Sequence, residues 1–263
     1  MTRAAQIHSS AIVEPGAQVG AGCIVGPFCH VGPDVVLCDG VELKSHVVVT
    51  GDTVIGEQSV VFPFCVIGEI PQDRKFEGEA TRLRIGARNR IREHVTMNTG
   101  TAGGGGVTRV GDDGLFLAGC HVAHDARIGD RVTMVNSSAV AGHCIIEDDV
   151  ILGGLSGVHQ FVRIGQGAII GAVTMVAQDV IPYGLVHGPR GQLEGLNLVG
   201  LKRKGVSRSD ITALRAAFQA LRQGDGTFHD RARRLADESE SAYVDRMLAF
   251  VLEQSDRHFL TPI

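Results

Sequence analysis

The chain has 263 residues, 44% of them hydrophobic, and a formal net charge of −4 at pH 7. That length and apolar content suffice for a large core, and the mildly acidic balance argues against a general nucleic-acid binder. No apolar run is long enough to span a membrane and no signal peptide is evident, so a cytoplasmic protein without integral membrane association is expected.

A six-residue repeat starts early. Ile7, Val13, Val19, Val25, Val31, Leu37, Leu43, Val49, Ile55, Val61 and Ile67 are six apart, and a small or β-branched residue falls four later, as at Ala11, Cys23, Cys29, Val41, Thr53 and Cys65. Glycine often follows the aliphatic, as at Gly20, Gly26, Gly32, Gly56 and Gly68. A fixed hexad matches neither the helical period nor simple strand alternation. It is the signature of a parallel β-helix, a β-solenoid whose triangular coils each take three hexads, about 18 residues. Such coils stack at roughly 4.8 Å and bury a continuous core against their neighbours. Cys23, Cys29, Cys65, Cys120 and Cys144 fall on the small position and Cys38 follows an aliphatic, so all six read as structural thiols rather than disulfide or metal ligands.

The repeat breaks at Glu69–Arg82 and resumes at Ile85, Ile91 and Met97. Because 67 to 85 is 18, the break is expected to replace one coil's length and keep phase. A second break, Asn98–Arg109, contains Gly103-Gly104-Gly105-Gly106. No Gly-Lys-Ser/Thr follows and no helix opens, so a mobile excursion is expected rather than a phosphate cradle. From Val110 the hexads run unbroken through Phe116, Val122, Ile128, Met134, Val140, Ile146, Leu152, Val158, Ile164, Ile170 and Val176. Beyond Ile181 they dissolve. Pro182–Gly205 reads as an irregular connector carrying Lys202-Arg203-Lys204. Ser207 with Asp210 opens a helix whose face is Ile211, Leu214, Phe218 and Leu221, and Gly224 ends it. Thr227 with Asp230 opens a second, and Ala242–Gln254 a third. The expected organisation is a β-helix over 1–184, with excursions at about 69–82 and 98–109, then a connector and C-terminal α-helical domain over 185–263 that covers an open end of the solenoid.

His124 is the third residue of its hexad, and its equivalents one and two coils on are Gly142 and Gln160. His143 and His159 adjoin them. His121, His124, Asp125, His143, His159 and Gln160 should therefore gather along one edge. A lone histidine would read as structural, but four histidines and an aspartate on one edge read as a site. Two chemistries compete. Zinc held by three histidines occurs in β-helical γ-class carbonic anhydrases, although the His-x-x-His spacing here is shorter than that site expects. The other is acyl transfer with a histidine general base, where the unobstructed N–H of Gly142 would stabilise an oxyanion.

Longer motifs narrow the reading. His121-Val-Ala-His124-Asp125, Ala141-Gly142-His143, Val158-His159-Gln160-Phe161, Val176-Ala-Gln-Asp179 and Gly200-Leu-Lys-Arg203 resemble the UDP-N-acetylglucosamine O-acyltransferases that begin lipid A biosynthesis. Gly68-Glu69-x-x-Gln72-Asp73 and Ile85-Gly86-x-x-Asn89-x-Ile91-Arg92-Glu93 match too, so the resemblance runs nearly the length of the chain in order. It implies a left-handed parallel β-helix, an exception to the usual crossover hand, and a homotrimer with sites between subunits. It implies His124 as the general base on the sugar 3-hydroxyl, Asp125 as its orienting partner and the Gly142 N–H at the oxyanion. Gln72, Asp73, Lys75, Asn98, His121, His143, His159, Gln160, Asn197, Arg203 and Lys204 become candidate substrate contacts. The partners implied are an acyl carrier protein, which delivers the chain on its phosphopantetheine, and the UDP-sugar; no metal or diffusible cofactor is implied.

The sequence departs from the family pattern in places. Asn98 stands where better-known members have a histidine near the sugar, which leaves open whether the acceptor carries a 3-hydroxyl or a 3-amine. Val199 and Lys204 replace an acidic residue and an arginine near the nucleotide. Ala172 occupies the position that limits acyl-chain length, where glycine admits a long chain. The alternatives are the zinc carbonic anhydrase-like β-helix and the sister UDP-sugar N-acyltransferase, which usually carries an N-terminal uridine-binding domain for which hexads starting at Ile7 leave no room.

Overall fold

The structure is a computed structural model that describes residues 4–255 and 257–262. Its repeating unit is a two-residue strand with one side chain out and one in, as in His121–Val122, Ala139–Val140 and Gly157–Val158. Each strand pairs in parallel with the strand one coil on, so that Gln6 meets Ile24 and His121 meets Ala139. Three strands per coil give three sheets. Sheet A begins at Gln6–Ile7 and has 11 strands, sheet B begins at Ile12–Val13 and has nine, and sheet C begins at Gln18–Val19 and has eight. The hexad aliphatics fill the prism between them: Val122, Val140, Ile146, Leu152 and Ile164 are all buried.

The corners explain the rest of the hexad. At most corners the third residue after the aliphatic takes the left-handed conformation, as Asp125, His143 and Phe161 do with φ of 59°, 62° and 65°. That turns the chain outward and back, and the fourth residue then points into the prism. Cys120, Ser138, Ser156 and Thr174 occupy that inner corner and are buried. Glycine after an aliphatic answers to coil spacing: a Cβ on Gly26 would overlap the carbonyl of Lys44 on the next coil. Register shows at the A–B corner, where the rings of Phe28, His46, Phe64 and His94 follow one another at 4.9, 5.1 and 5.2 Å. At the C–A corner, Asp112, Asp130 and Asp148 each accept an N–H from the preceding coil at 2.8–3.0 Å. The five small-position cysteines are buried and free, and burial pushes the thiols of Cys65 and Cys144 up to about 12.

Three expectations need correction. The first excursion replaces no coil. Ile85 stacks on Ile55, thirty residues back, so twelve residues have been inserted at the B–C corner and the coil then continues on sheet C. The inward phase survives because twelve is a multiple of six. The second excursion leaves the same corner and is not a loose loop: Thr99, Gly100 and Thr101 are buried, and Thr99 accepts the Thr81 hydroxyl at 3.0 Å. The connector is not irregular. Gly184–His187 adds a parallel strand beside Ile169–Ile170, turns back antiparallel through Gln192–Leu196, and leads into helix α1, Leu198–Arg203. A four-residue strand and a six-residue helix are too short to leave a periodic signal.

Helices α2 (Arg208–Arg222), α3 (Phe228–Glu238) and α4 (Ala242–Leu252) follow. Ser207 caps α2 and a Thr227–Asp230 capping box starts α3, each satisfying N–H groups left open in a first turn. The tail is fastened to the last coils by a buried ion pair. Asp179 is 0% exposed and accepts both the N–H and the guanidinium of Arg163 at 2.8 Å, plus the hydroxyl of Ser255. Arg163 also reaches Glu253 at 2.9 Å and lies over the Phe250 ring at 4.6 Å. Removing one member strands a buried charge. Arg163→Ala should cost about 3–5 kcal/mol, read as a lower urea midpoint and earlier proteolysis of the tail, while an Arg163→Met, Asp179→Leu pair should recover much of the loss.

Candidate active site

The B–C corner concentrates the chemistry. Its successive coils present His124 and Asp125, then Gly142 and His143, then Gln160 and Phe161. The excursions leave from the same corner, the first two coils and the second one coil below His124, so they hang over these residues. Asp73, Lys75, Glu79, Thr101, His143 and Phe161 are among the groups lining an open cleft of about 710 Å³.

His124 and Asp125 are both buried, at 5% exposure each. The His124 Nδ1 lies 2.9 Å from the Asp125 Oδ2. An N–H directed at the carboxylate fixes the tautomer and leaves Nε2 with its lone pair. A Cβ on Gly142 would sit 2.5 Å from the His124 Cε1, so glycine is required if the ring is to stay in place. Its N–H, at the outward point of the turn, meets no backbone acceptor among the described residues. His143 stacks on Phe161 at 4.5 Å and meets the His124 ring edge-on at 5.0 Å. Burial holds the His143 ring below its usual range despite the nearby Asp125 carboxylate, and His124 adds to the depression. His121, its Nδ1 2.7 Å from the Thr96 hydroxyl, is likewise depressed by burial and by His124.

Other candidates lie apart. His159 is exposed and 2.8 Å from the Arg257 guanidinium, and Gln160 is exposed beside it. Asn98 is buried beneath the first excursion, donating to the carbonyls of Glu69 at 3.3 Å and Ile70 at 2.9 Å, with its Oδ1 unpartnered. It holds the base of the loop that carries Gln72, Asp73 and Lys75. Asn197 caps α1 and donates to the Gly167 carbonyl at 2.9 Å. Lys204 pairs with Asp149 at 2.6 Å, and Arg203 is exposed beside it. These three belong to the C–A corner, and Ala172 is exposed at the A–B corner. One chain therefore gathers His121, His124, Asp125, Gly142, His143, Asp73 and Lys75, and leaves Asn197, Arg203, Lys204 and Ala172 at its other two corners.

His124, Asp125 and His143 are a possible ligand set, with donor atoms within 4.8 Å of one another. However, the Asp125 Oδ2 already accepts the Thr101 hydroxyl at 2.6 Å as well as the His124 ring, so a metal would have to displace both. The sequence assigns no role to Thr101 or Thr108, and offers Gly104 only within an excursion and Phe161 only within a motif, because the break in the repeat hides which residues fold back onto the corner.

The hexapeptide model of bacterial transferases matches residues 16–51, and the second domain of the UDP-N-acetylglucosamine O-acyltransferase model matches 179–260. The acyl-[acyl-carrier-protein]--UDP-N-acetylglucosamine O-acyltransferase of Rhizobium johnstonii is 49% identical over 263 residues, covering 100% of this chain and 97% of its own. The chain belongs to this O-acyltransferase family. The relative from Paracoccus denitrificans is 68% identical over 203 residues, 77% of each chain. The UDP-N-acetylglucosamine acyltransferase of Campylobacter jejuni superposes with a TM-score of 0.92 at 36% identity, covering 98% of this chain and 100% of that one. The fold is accordingly the left-handed parallel β-helix with a C-terminal helical region shared by these O-acyltransferases.

The depressed histidines predict a pH dependence. On unfolding, His121 and His143 return to about 6.5. Below that pH the unfolded chain binds more protons than the folded one, so stability present above it is lost as pH falls through the depressed folded values. Thermal melts should show a lower Tm in mildly acidic buffer than at neutrality, and the drop should shrink in a His121→Gln, His143→Gln variant.

Proposed function

We propose that this chain transfers a 3-hydroxyacyl group from an acyl carrier protein to the 3-hydroxyl of UDP-N-acetylglucosamine, the opening step of lipid A biosynthesis, with His124 as general base. The observation that carries the mechanism is the pairing of His124 with Asp125 directly against Gly142 on the next coil. The His124 Nε2 takes the hydroxyl proton as the sugar oxygen attacks the thioester carbonyl. The Gly142 N–H holds the resulting oxyanion. Collapse expels the phosphopantetheine thiolate, which recovers the proton from the imidazolium. Asp73 and Lys75 on the overhanging loop, with His121 and His143, position the acceptor. The chain uses no metal or diffusible cofactor in this scheme. No helix among the described residues is long and apolar enough to cross a membrane, and we place the reaction in the cytoplasm.

The three corners support a homotrimer. Phe28, Phe64, Leu155 and Val173, exposed at 62%, 51%, 65% and 63%, all stand on the A–B corner, and Met175 on sheet B is exposed at 55%. Apolar groups concentrated on one edge favour association. Three copies with that edge toward a common axis would pack sheet B of one against sheet A of the next. His124 of one subunit would then face the Arg203 and Lys204 corner of its neighbour, where the cations can meet the nucleotide phosphates. Ala172 would lie inward along the same interface, at the far end of an acyl groove.

His124→Ala should lower turnover at least ~100-fold, the scale of a lost general base, while sedimentation still reports a trimer. Near-normal turnover would reject the base, and an active monomer would reject the shared site.

Ala172 stands one coil beyond Gly154 at the same corner. Its methyl adds volume that a packed wall absorbs only with strain of ~1–3 kcal/mol. The preferred chain should therefore be short, about 10–12 carbons, and Ala172→Gly should move the preference upward. Competition among carrier-bound chains of graded length measures the shift.

A further inference from the structure

The Asp125 carboxylate is held almost entirely by the second excursion. Its side chain is 1% exposed. Oδ1 accepts the Thr101 N–H at 2.9 Å, and Oδ2 lies 3.1 Å from the same nitrogen. Oδ2 also accepts the Thr101 hydroxyl at 2.6 Å, and it is the oxygen that faces His124. Thr101 is 7% exposed and is itself clamped, since its carbonyl accepts the N–H groups of Gly104 at 3.1 Å and Gly106 at 2.8 Å. Gly104 lies flat on the carboxylate, where any Cβ would overlap it. The excursion is tied down in turn, because Gly100 donates to the Arg82 carbonyl at 3.2 Å and Ala102 to the Glu79 carboxylate at 3.1 Å. The solenoid contributes the backbone of Asp125, whose N–H meets the Thr108 hydroxyl at 2.8 Å.

We infer that Thr101 is a positioning residue for the transfer, its hydroxyl fixing the orientation and sharing the charge of the carboxylate oxygen that faces His124. This rests on His124 acting as the base. A buried carboxylate can rotate about its last torsion, which is broad and roughly two-fold. Two donors from one residue, one to each oxygen, remove that freedom. The hydroxyl draws off part of the negative charge on Oδ2, so the carboxylate orients the imidazole without holding the imidazolium as tightly as a bare carboxylate would. Gly104 then has a physical reason within the glycine run: a Cβ there would overlap the carboxylate that Thr101 holds.

The test is a comparison of Thr101→Val with Thr101→Ser, with His124→Ala alongside. Valine keeps the shape and the backbone N–H and removes only the hydroxyl donor. Its kcat should fall about tenfold, the scale of one hydrogen bond to a charged group, with KM for sugar nucleotide and acyl carrier within about twofold of normal. The acidic limb of its rate profile should move to higher pH, because the undivided charge on Oδ2 favours the protonated ring. The other titratable and charged groups facing this dyad are His121 and His143, with Asp73 and Lys75 facing His143 from the first excursion. All four are unchanged in these variants. Serine restores the hydroxyl and should restore both kcat and the limb. Three results overturn the inference: an unaltered kcat and profile in Thr101→Val; a serine variant as impaired as valine, which assigns the effect to the methyl; or a raised KM with an unmoved limb, which makes Thr101 a packing residue only. A collapse of His124→Ala beside a silent Thr101→Val rejects Thr101 alone, whereas an active His124→Ala rejects the base and this inference with it.

Discussion

The corner turn is the constraint on which this molecule depends. Each coil must turn three times, and most turns use one residue in the left-handed region and one small residue pointing back inside. Because that geometry repeats at a fixed interval, every position acquires an equivalent one coil away at the spacing of paired strands. Function uses the same register. His124 is set against Gly142 because both are second residues of stacked turns, and His143 stacks on Phe161 because both are left-handed third residues. A non-glycine residue with positive φ is uncommon; here Asp125, His143 and Phe161 adopt it on successive coils, and the side chains of His143 and Phe161 line the cleft.

Insertions are confined to one such corner. Twelve extra residues in the first excursion and seven in the second leave sheet B and re-enter sheet C without disturbing the stacking of Ile85 on Ile55 or Val110 on Ile85. The first can carry polar contacts over the cleft. The second reaches a part of the site that the solenoid cannot. A triangular prism offers outward side chains and a buried interior, but little that can approach a corner residue from the side. Thr101 does so, and thereby satisfies a carboxylate that would be costly to bury with open lone pairs.

The far end of the solenoid faces a different problem, since a last coil leaves strand edges open. The chain answers with a hairpin on sheet A and a short pairing of Asp179 with Phe259. The Arg163–Asp179 pair sits at this join. Such a pair contributes little net stability when intact, but it accepts few alternative arrangements and so specifies how the tail docks.

Period six alone gave the architecture, the inward aliphatics and the buried thiols, because a solenoid's packing is local and each residue's environment follows from its place in the repeat. The same arithmetic places His124, Asp125, Gly142 and His143 on one edge, and the caps at Ser207 and Thr227 are equally readable as local chemistry. What the sequence could not decide were contacts made across an interruption of the period. The stacking of Ile85 on Ile55, the hold of Thr101 on Asp125 and the anchoring of the first excursion by Asn98 join residues whose separation follows no rule. The placing of Ala172 on a corner away from His124 was already implicit in its hexad position, whereas Arg203 and Lys204 lie beyond the repeat and their corner is fixed only by the helix that carries them. Periodicity encodes who stacks on whom; which edge an inserted loop folds against is set by long-range packing, and that only the tertiary structure decides.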